Sequence, residues 1–271
     1  MTLSMTAPEI GQNLKLTKRL ALVLEYDGTD YCGFQWQANA PSIQGALENA
    51  LEKLTGEKVR VLGSSRTDKG VHARGQVVSF KTESGLPVEV FVQALNYHLP
   101  EDIAVKSACQ VNDSFLVRSM AVSREYSYSI LNNRTRSPMT ARFAHRVTGE
   151  LDVEAMNRAC QSLVGIHDFI SFASDINDEP QMSTIRQVYR AVVERHEDMV
   201  VFNIVANAFI RHQIRSTAGA LVQVGLHKLS QTDFVGLLEA KKVGLAGPTL
   251  PACGLCLMRV NYPSSFEEIK L

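Results

Sequence analysis

Val59-Arg60-Val61-Leu62-Gly63-Ser64 runs into Ser65-Arg66-Thr67-Asp68-Lys69-Gly70-Val71-His72-Ala73, and a little further on comes Gln76-Val77-Val78-Ser79-Phe80. The outer runs have the β-branched and alternating character of strands. The stretch between them reads as a tight loop holding Asp68. An arginine stands two positions before this carboxylate, a lysine beside it and a glycine two positions after it. Loops on a rigid strand pair are where a fold presents a side chain to a partner. A lone aspartate in basic company suits a nucleophile or base held ready for an anionic substrate.

Working outward, residues 20–26 form a strand that ends at the turn signal Asp27-Gly28. Ser42 opens a helix in which Ile43, Ala46, Leu47, Ala50, Leu51 and Leu54 recur at helical spacing, and Gly56 stops it. Residues 87–99 give a second helix, closed by Pro100, and residues 103–111 and 122–130 give strands. Gly149-Glu150-Leu151-Asp152 marks a boundary, followed by a helix with Val153, Met156, Ala159, Cys160 and Leu163 on one face. A polar loop at 174–181 precedes strands at 187–194 and 199–206, a long helix at 210–224, a shorter one to 241 and a last strand to 262. This order predicts an α+β fold: two similar subdomains, mostly antiparallel mixed sheets packed by helices, and a cleft between them. The expected division is a flexible N-terminus at 1–16, an N-terminal subdomain at 17–149 carrying the Asp68 loop, and a C-terminal subdomain at 150–271 completing the cleft.

With 271 residues, 45% of them hydrophobic and 21% charged, the chain can bury a sizeable core. The first sixteen residues lack a signal-peptide pattern and no run is apolar enough to span a bilayer, so a cytoplasmic location and no membrane partner are expected. Five scattered cysteines do not suggest a disulfide framework. Cys253 and Cys256 form a single C-x-x-C without two further zinc ligands nearby in sequence, and they read as buried thiols on a strand.

Lys+Arg and Asp+Glu are equal at 28 each, yet the positive charge is clustered. Arg118, Arg124, Arg134, Arg136, Arg142 and Arg146 lie between residues 114 and 148 with Glu125 as the only acid. Arg66, Lys69 and Arg74 flank Asp68, and Arg211, His212 and Arg215 open the long helix. Guanidinium forks bind phosphate bidentately, and Tyr126, Tyr128, Phe143 and Phe172 offer faces on which bases could stack. Together these point to a nucleic acid or another polyanion.

Arg66-Thr67-Asp68-Lys69-Gly70-Val71-His72-Ala73 resembles the R-T-D-x-G-V-H-A signature of the tRNA pseudouridine synthase A (TruA-type) family. Further matches follow in order. They are Tyr26-Asp27-Gly28 with Gly33-Phe34-Gln35-Trp36-Gln37, Ser42-Ile43-Gln44, Ala94-Leu95-Asn96 with Leu99-Pro100, Arg124-Glu125-Tyr126-Ser127-Tyr128, Gly165-Ile166-His167-Asp168-Phe169, Asn207-Ala208-Phe209 through Arg215, and Gly254-Leu255-Cys256-Leu257. The resemblance spans roughly residues 18–262. Departures are Gly63-Ser64-Ser65 for a Gly-Ala-Gly run, Lys69 for an alanine, Gln213 for a methionine and Ser216 for an asparagine.

The resemblance implies the pseudouridine synthase fold and isomerisation of uridine to pseudouridine in the tRNA anticodon arm, at positions 38, 39 and 40. It implies a homodimer with tRNA as partner, base flipping, and no cofactor or metal. Asp68 is then the reacting carboxylate, Arg66 its charge partner and an aid to flipping, and Tyr126 the ring that stacks on uracil. Arg215 joins the pocket as an ion-pair partner of Asp68, Leu255 forms an apolar wall, and Lys69 and Arg124 contact substrate. Asp68 either attacks the sugar or base or removes a sugar proton. His72, His167 and Asp168 read as loop braces. Without the resemblance, the same arginines and aromatics would also suit an RNA-binding module with no turnover.

Overall fold

The structure is a computed structural model, which describes residues 17–173, 183–266 and 269. Ten strands form one sheet: β1 (Lys18–Tyr26), β2 (Leu62–Gly63), β3 (His72–Thr82), β4 (Ile103–Val111), β5 (Ser123–Asn132), β6 (His145–Val147), β7 (Gly165–Asp168), β8 (Ile185–His196), β9 (Met199–Ala206) and β10 (Leu255–Asn261). The helices are α1 (Ile43–Thr55), α2 (Val88–His98), α3 (Val153–Gln161), α4 (Gln213–Gly225) and α5 (Gln231–Ala240). The strand order is β4-β1-β3-β10-β5-β9-β8-β7, with β2 beside β3 and β6 beside β5. Among the described residues only β3–β10 and β5–β6 pair in parallel. The α+β class with a mixed, mostly antiparallel sheet is as the sequence predicts. The stretches 1–16 and 174–181, expected to be a flexible terminus and a polar loop, lie outside the described residues.

Local chemistry accounts for several boundaries. Ser42 Oγ accepts the N–H of Gly45 at 3.2 Å, which starts α1. Gly56 takes φ 74° at its end, a left-handed cap that glycine adopts without a Cβ penalty. Ile43, Leu47, Ala50 and Leu51 are the buried stripe between these caps. In β1, Leu20 to Leu24 are buried without a break, because this strand lies between β3 and β4 with both faces covered.

Elsewhere the structure departs from the sequence expectation for identifiable reasons. The strand expected over 59–64 shrinks to β2, because α1 captures its backbone. Glu48 Oε1 accepts the Val61 N–H at 2.9 Å, and Gln44 Nε2 donates to the Val61 carbonyl at 3.1 Å. The long helix begins at Gln213 rather than residue 210, since His212 has φ 63°, incompatible with a helix. Gln213 Oε1 instead accepts the N–H of Ile210 at 3.0 Å. The short strands β6 and β7 carry too few residues for a periodic signal.

One long-range pairing positions the site. β10, from the end of the chain, inserts between β3 and β5, setting Cys256 beside His72 and Leu255 beside Tyr128. The two halves of the chain therefore share a continuous sheet, and the Asp68 loop emerges beside their junction.

Candidate active site

The loop before β3 is fixed along its whole length. Ser64 Oγ donates to Gln76 Oε1 at 2.7 Å, and Gln76 Nε2 donates to the Ser65 carbonyl at 2.7 Å. The Tyr26 hydroxyl and Thr67 Oγ1 are hydrogen-bonded at 2.8 Å. The Val71 N–H reaches the Asp68 carbonyl at 3.1 Å and closes the turn, with Gly70 at φ 77°. The segment after β1 presses on this loop from outside. The Phe34 N–H donates to the Thr67 carbonyl at 3.0 Å. A Cβ on Gly28 would lie 2.0 Å from the Val71 carbonyl oxygen, and one on Gly33 would lie 2.6 Å from that of Thr67. Only glycine permits backbones to approach so closely.

His72 braces the loop. The Gly28 backbone nitrogen lies 3.1 Å from its Nδ1. Asp27 Oδ1 lies 3.1 Å from the same nitrogen, and Arg142 Nε pairs with Asp27 Oδ2 at 3.1 Å. His167 and Asp168 are braces too: Asp168 Oδ1 accepts from Thr184 Oγ1 at 2.6 Å and from the Ile170 N–H at 3.1 Å.

Asp68 itself is half-buried. Its Oδ2 faces His212 Nε2 at 3.3 Å and Arg215 Nη1 at 3.8 Å. Arg215 is aimed by a 2.7 Å hydrogen bond from its Nε to the Leu250 carbonyl. Burial holds the His212 imidazole below its ordinary pKa and outweighs the opposing pull of Asp68; Arg215 and Arg211 push the same way as burial. A neutral His212 can donate one N–H to the carboxylate, while Arg215 supplies the positive charge. Burial pushes the Tyr126 hydroxyl up to about 12 against a hydrogen bond with Ser65, and the Asp68 charge adds to the rise. Tyr126 therefore keeps its proton at neutral pH, and its ring meets Phe209 edge-on at 5.2 Å.

Arg66, Asp68, Lys69, Arg124, Tyr126, Arg215 and Leu255, the seven site residues picked from the sequence, all line one cavity of about 950 Å³. Among the described residues its wall holds six Lys and Arg residues and a single carboxylate, Asp68. In a chain with no net charge, this concentrates positive potential on one concave surface. His212 belongs to the same wall and was not singled out from sequence. Its signal was the basic trio Arg211, His212 and Arg215, whose geometry depends on the left-handed turn at 212.

Other sequence expectations land elsewhere. The Arg124 guanidinium is spent on backbone: Nη1 donates to the carbonyls of Ala121 and Asn207 at 3.2 and 2.7 Å, and Nη2 to those of Ser64 and Arg118 at 3.4 and 2.7 Å. Arg142 latches Asp27 and Asp30, and Arg146 donates to the Arg134 carbonyl. Tyr128 and Phe172 are fully buried and cannot stack on a base, and Phe143 packs against His72.

His72, His145 and His212 are all held below the usual imidazole value of 6.5, burial being the leading cause in each. The unfolded chain binds protons at these positions more readily than the folded one, so stability rises with pH through this range. The protein is expected to be fully stable above about pH 6.5 and to lose stability as the pH falls below it. Urea midpoints at pH 7.5, 6.0 and 5.0 test this; a midpoint constant across the three would contradict it.

Comparison with known proteins adds to this geometry. A family described as tRNA pseudouridine synthase matches residues 22–118 and 159–263. A protein named tRNA pseudouridine synthase A from Thermoanaerobacter sp. (strain X514) is 40% identical over 245 residues, covering 90% of this chain and 100% of that one. One of the same name from Roseiflexus castenholzii (strain DSM 13941 / HLO8) is 43% identical over 251 residues, covering 91% of each chain. Among solved structures, a chain of the archaeal box H/ACA sRNP Nop10-Cbf5 complex matches 75% of this chain and 43% of its own, with a TM-score of 0.31 at 11% identity.

Proposed function

The chain belongs to the tRNA pseudouridine synthase family, and from that premise we propose that it isomerises uridine to pseudouridine at positions 38, 39 and 40 of the tRNA anticodon arm, with Asp68 as the reacting carboxylate. The observation that carries this assignment is that, among the described residues, Asp68 is the one carboxylate in a cavity wall that also holds six cationic side chains. A polyanion is drawn into such a wall, and one acid is left to do chemistry on it.

The reaction breaks the N1–C1′ bond, turns the uracil and joins C5 to C1′. N1 gains a proton and C5 loses one, so no atoms or electrons are lost overall. The target must leave the base stack to reach Asp68, and Arg66, exposed on the cavity wall, is suited to fill the space it vacates. Asp68 serves as nucleophile or as base, its carboxylate oriented by His212 and ion-paired with Arg215. Tyr126 offers a flat face and a protonated hydroxyl, and Leu255, only 6% exposed, keeps that side of the pocket dry while the freed uracil turns. Lys69 meets the phosphate backbone, and Arg124 acts by holding four carbonyls rather than by touching RNA.

On this reading residues 17–149 bring the reacting loop, residues 150–271 complete the cleft, and a homodimer carries the tRNA across both subunits. Among the described residues no helix is long and apolar enough to cross a membrane; a tRNA substrate supports a cytoplasmic location as part of this proposal. Incubation with unmodified tRNA bearing labelled uridine, followed by mapping, is expected to give pseudouridine at 38, 39 and 40. Absence of turnover, or label at other positions, would overturn the proposal. Tyr126→Phe keeps the ring but removes the hydroxyl and is expected to lower kcat by about 10²-fold with little change in KM. Wild-type kcat in that variant would confine Tyr126 to stacking.

A further inference from the structure

A second cavity of about 700 Å³ adjoins the first, and Gln35, Arg66 and Arg118 belong to the walls of both. Three arginines line it, Arg60, Arg66 and Arg118, and no acidic residue does. Arg60 is steadied at the rim by Glu48 at 3.6 Å and lies over the Trp36 ring at 6.0 Å. Between these cations much of the wall is apolar, with Gln35, Gln44 and Ser119 as its neutral polar members. Leu62 and Leu116 are 54% and 57% exposed here, and the buried Phe34 lies among them.

Single exposed leucines are common on protein surfaces and mean little. Two of them in one concavity, framed by three guanidinium groups and continuous with a polyanion site, are a different matter. Apolar surface flanked by arginine suits an unstacked base with its phosphate, because the base gains from leaving water and the phosphate accepts forked hydrogen bonds. A bare inorganic anion would have no use for the leucines. An apolar ligand would make no use of the positive charge.

We propose that this cavity is a second nucleotide subsite, which takes a neighbour of the target uridine from the same RNA strand. The proposal rests on the catalytic assignment above. Arg66 stands in the wall common to both cavities, so a strand seated in both straddles it. The target and its neighbour are thereby pulled to separate pockets, and unstacking of the target is assisted by capture of the base beside it. Binding energy from a nucleotide that does not react is spent on distorting the one that does.

The test uses the full chain and an unmodified anticodon-arm RNA, with a parallel set carrying one abasic residue at successive positions beside the target. Leu62→Ser/Leu116→Ser is expected to raise KM on the intact RNA about tenfold, the loss typical of one stacked base, with a smaller change in kcat. On one abasic RNA the wild type should show the same rise and the double variant no further loss. Equal KM values for the two proteins on intact RNA would overturn the subsite, as would a difference that persists whichever neighbour is abasic. Both leucines are exposed, so melting should match the wild type; if it does not, Leu116→Ser alone is read against the same RNA set. Failure of the wild type to turn over any RNA would instead remove the catalytic assignment, and the subsite with it.

Discussion

Asp68→Asn is expected to reduce pseudouridine formation by at least about 10³-fold, whichever route the carboxylate takes, since the amide can neither attack nor accept the proton. Affinity for tRNA should not fall, and it should tighten modestly at low salt. Among the described residues the substitution deletes the single negative charge from a wall with six cationic residues, and RNA binding is governed by that balance. A variant that binds well and does nothing would separate an enzyme from a plain RNA-binding module built of the same arginines. Turnover within tenfold of wild type would remove Asp68 from the chemistry.

The largest expected loss of stability lies at Arg124. Four backbone carbonyls share its guanidinium, and the residue is 8% exposed. Those carbonyls belong to the stretch just before β5, the loop between β2 and Asp68 and the segment after β9. Arg124→Leu leaves them facing an apolar side chain and should cost about 3–5 kcal/mol, enough to lower Tm by roughly 10 °C. Arg124→Lys should recover less than half of this, because an ammonium group cannot span four acceptors in a plane. If Arg124 instead contacts RNA, KM will rise in a variant that melts like the wild type.

Features written in local chemistry were legible in the sequence. Ser42 and Gly56 bound α1 because each answers a need of a helix end. The hairpin of β8 and β9 follows from alternation on either side of a polar turn, where Glu197 takes φ 55°. The Asp68 loop was legible as a loop because strand-like runs flank it. What was not legible depends on distant partners. Nothing in Val59-Arg60-Val61 says that Glu48 and Gln44 will take the backbone bonds of Val61. Nothing in Arg124 distinguishes a phosphate contact from a clamp on carbonyls supplied by Asn207 and Ser64. His212 faces Asp68 only because its own backbone turns left-handed. The insertion of β10 between β3 and β5 is likewise silent, since a short apolar strand carries no label for its neighbours.

That insertion has a bearing on how the protein folds. β10 lies far along the chain from β3, yet it supplies the neighbour of His72 at the base of the Asp68 loop. Pairing elements so far apart in the chain is slow and comes late in folding. A chain in which β10 has not yet paired has an open edge at β3 and lacks the Leu255 wall, so completion of the cavity waits on the slowest kind of contact in the fold.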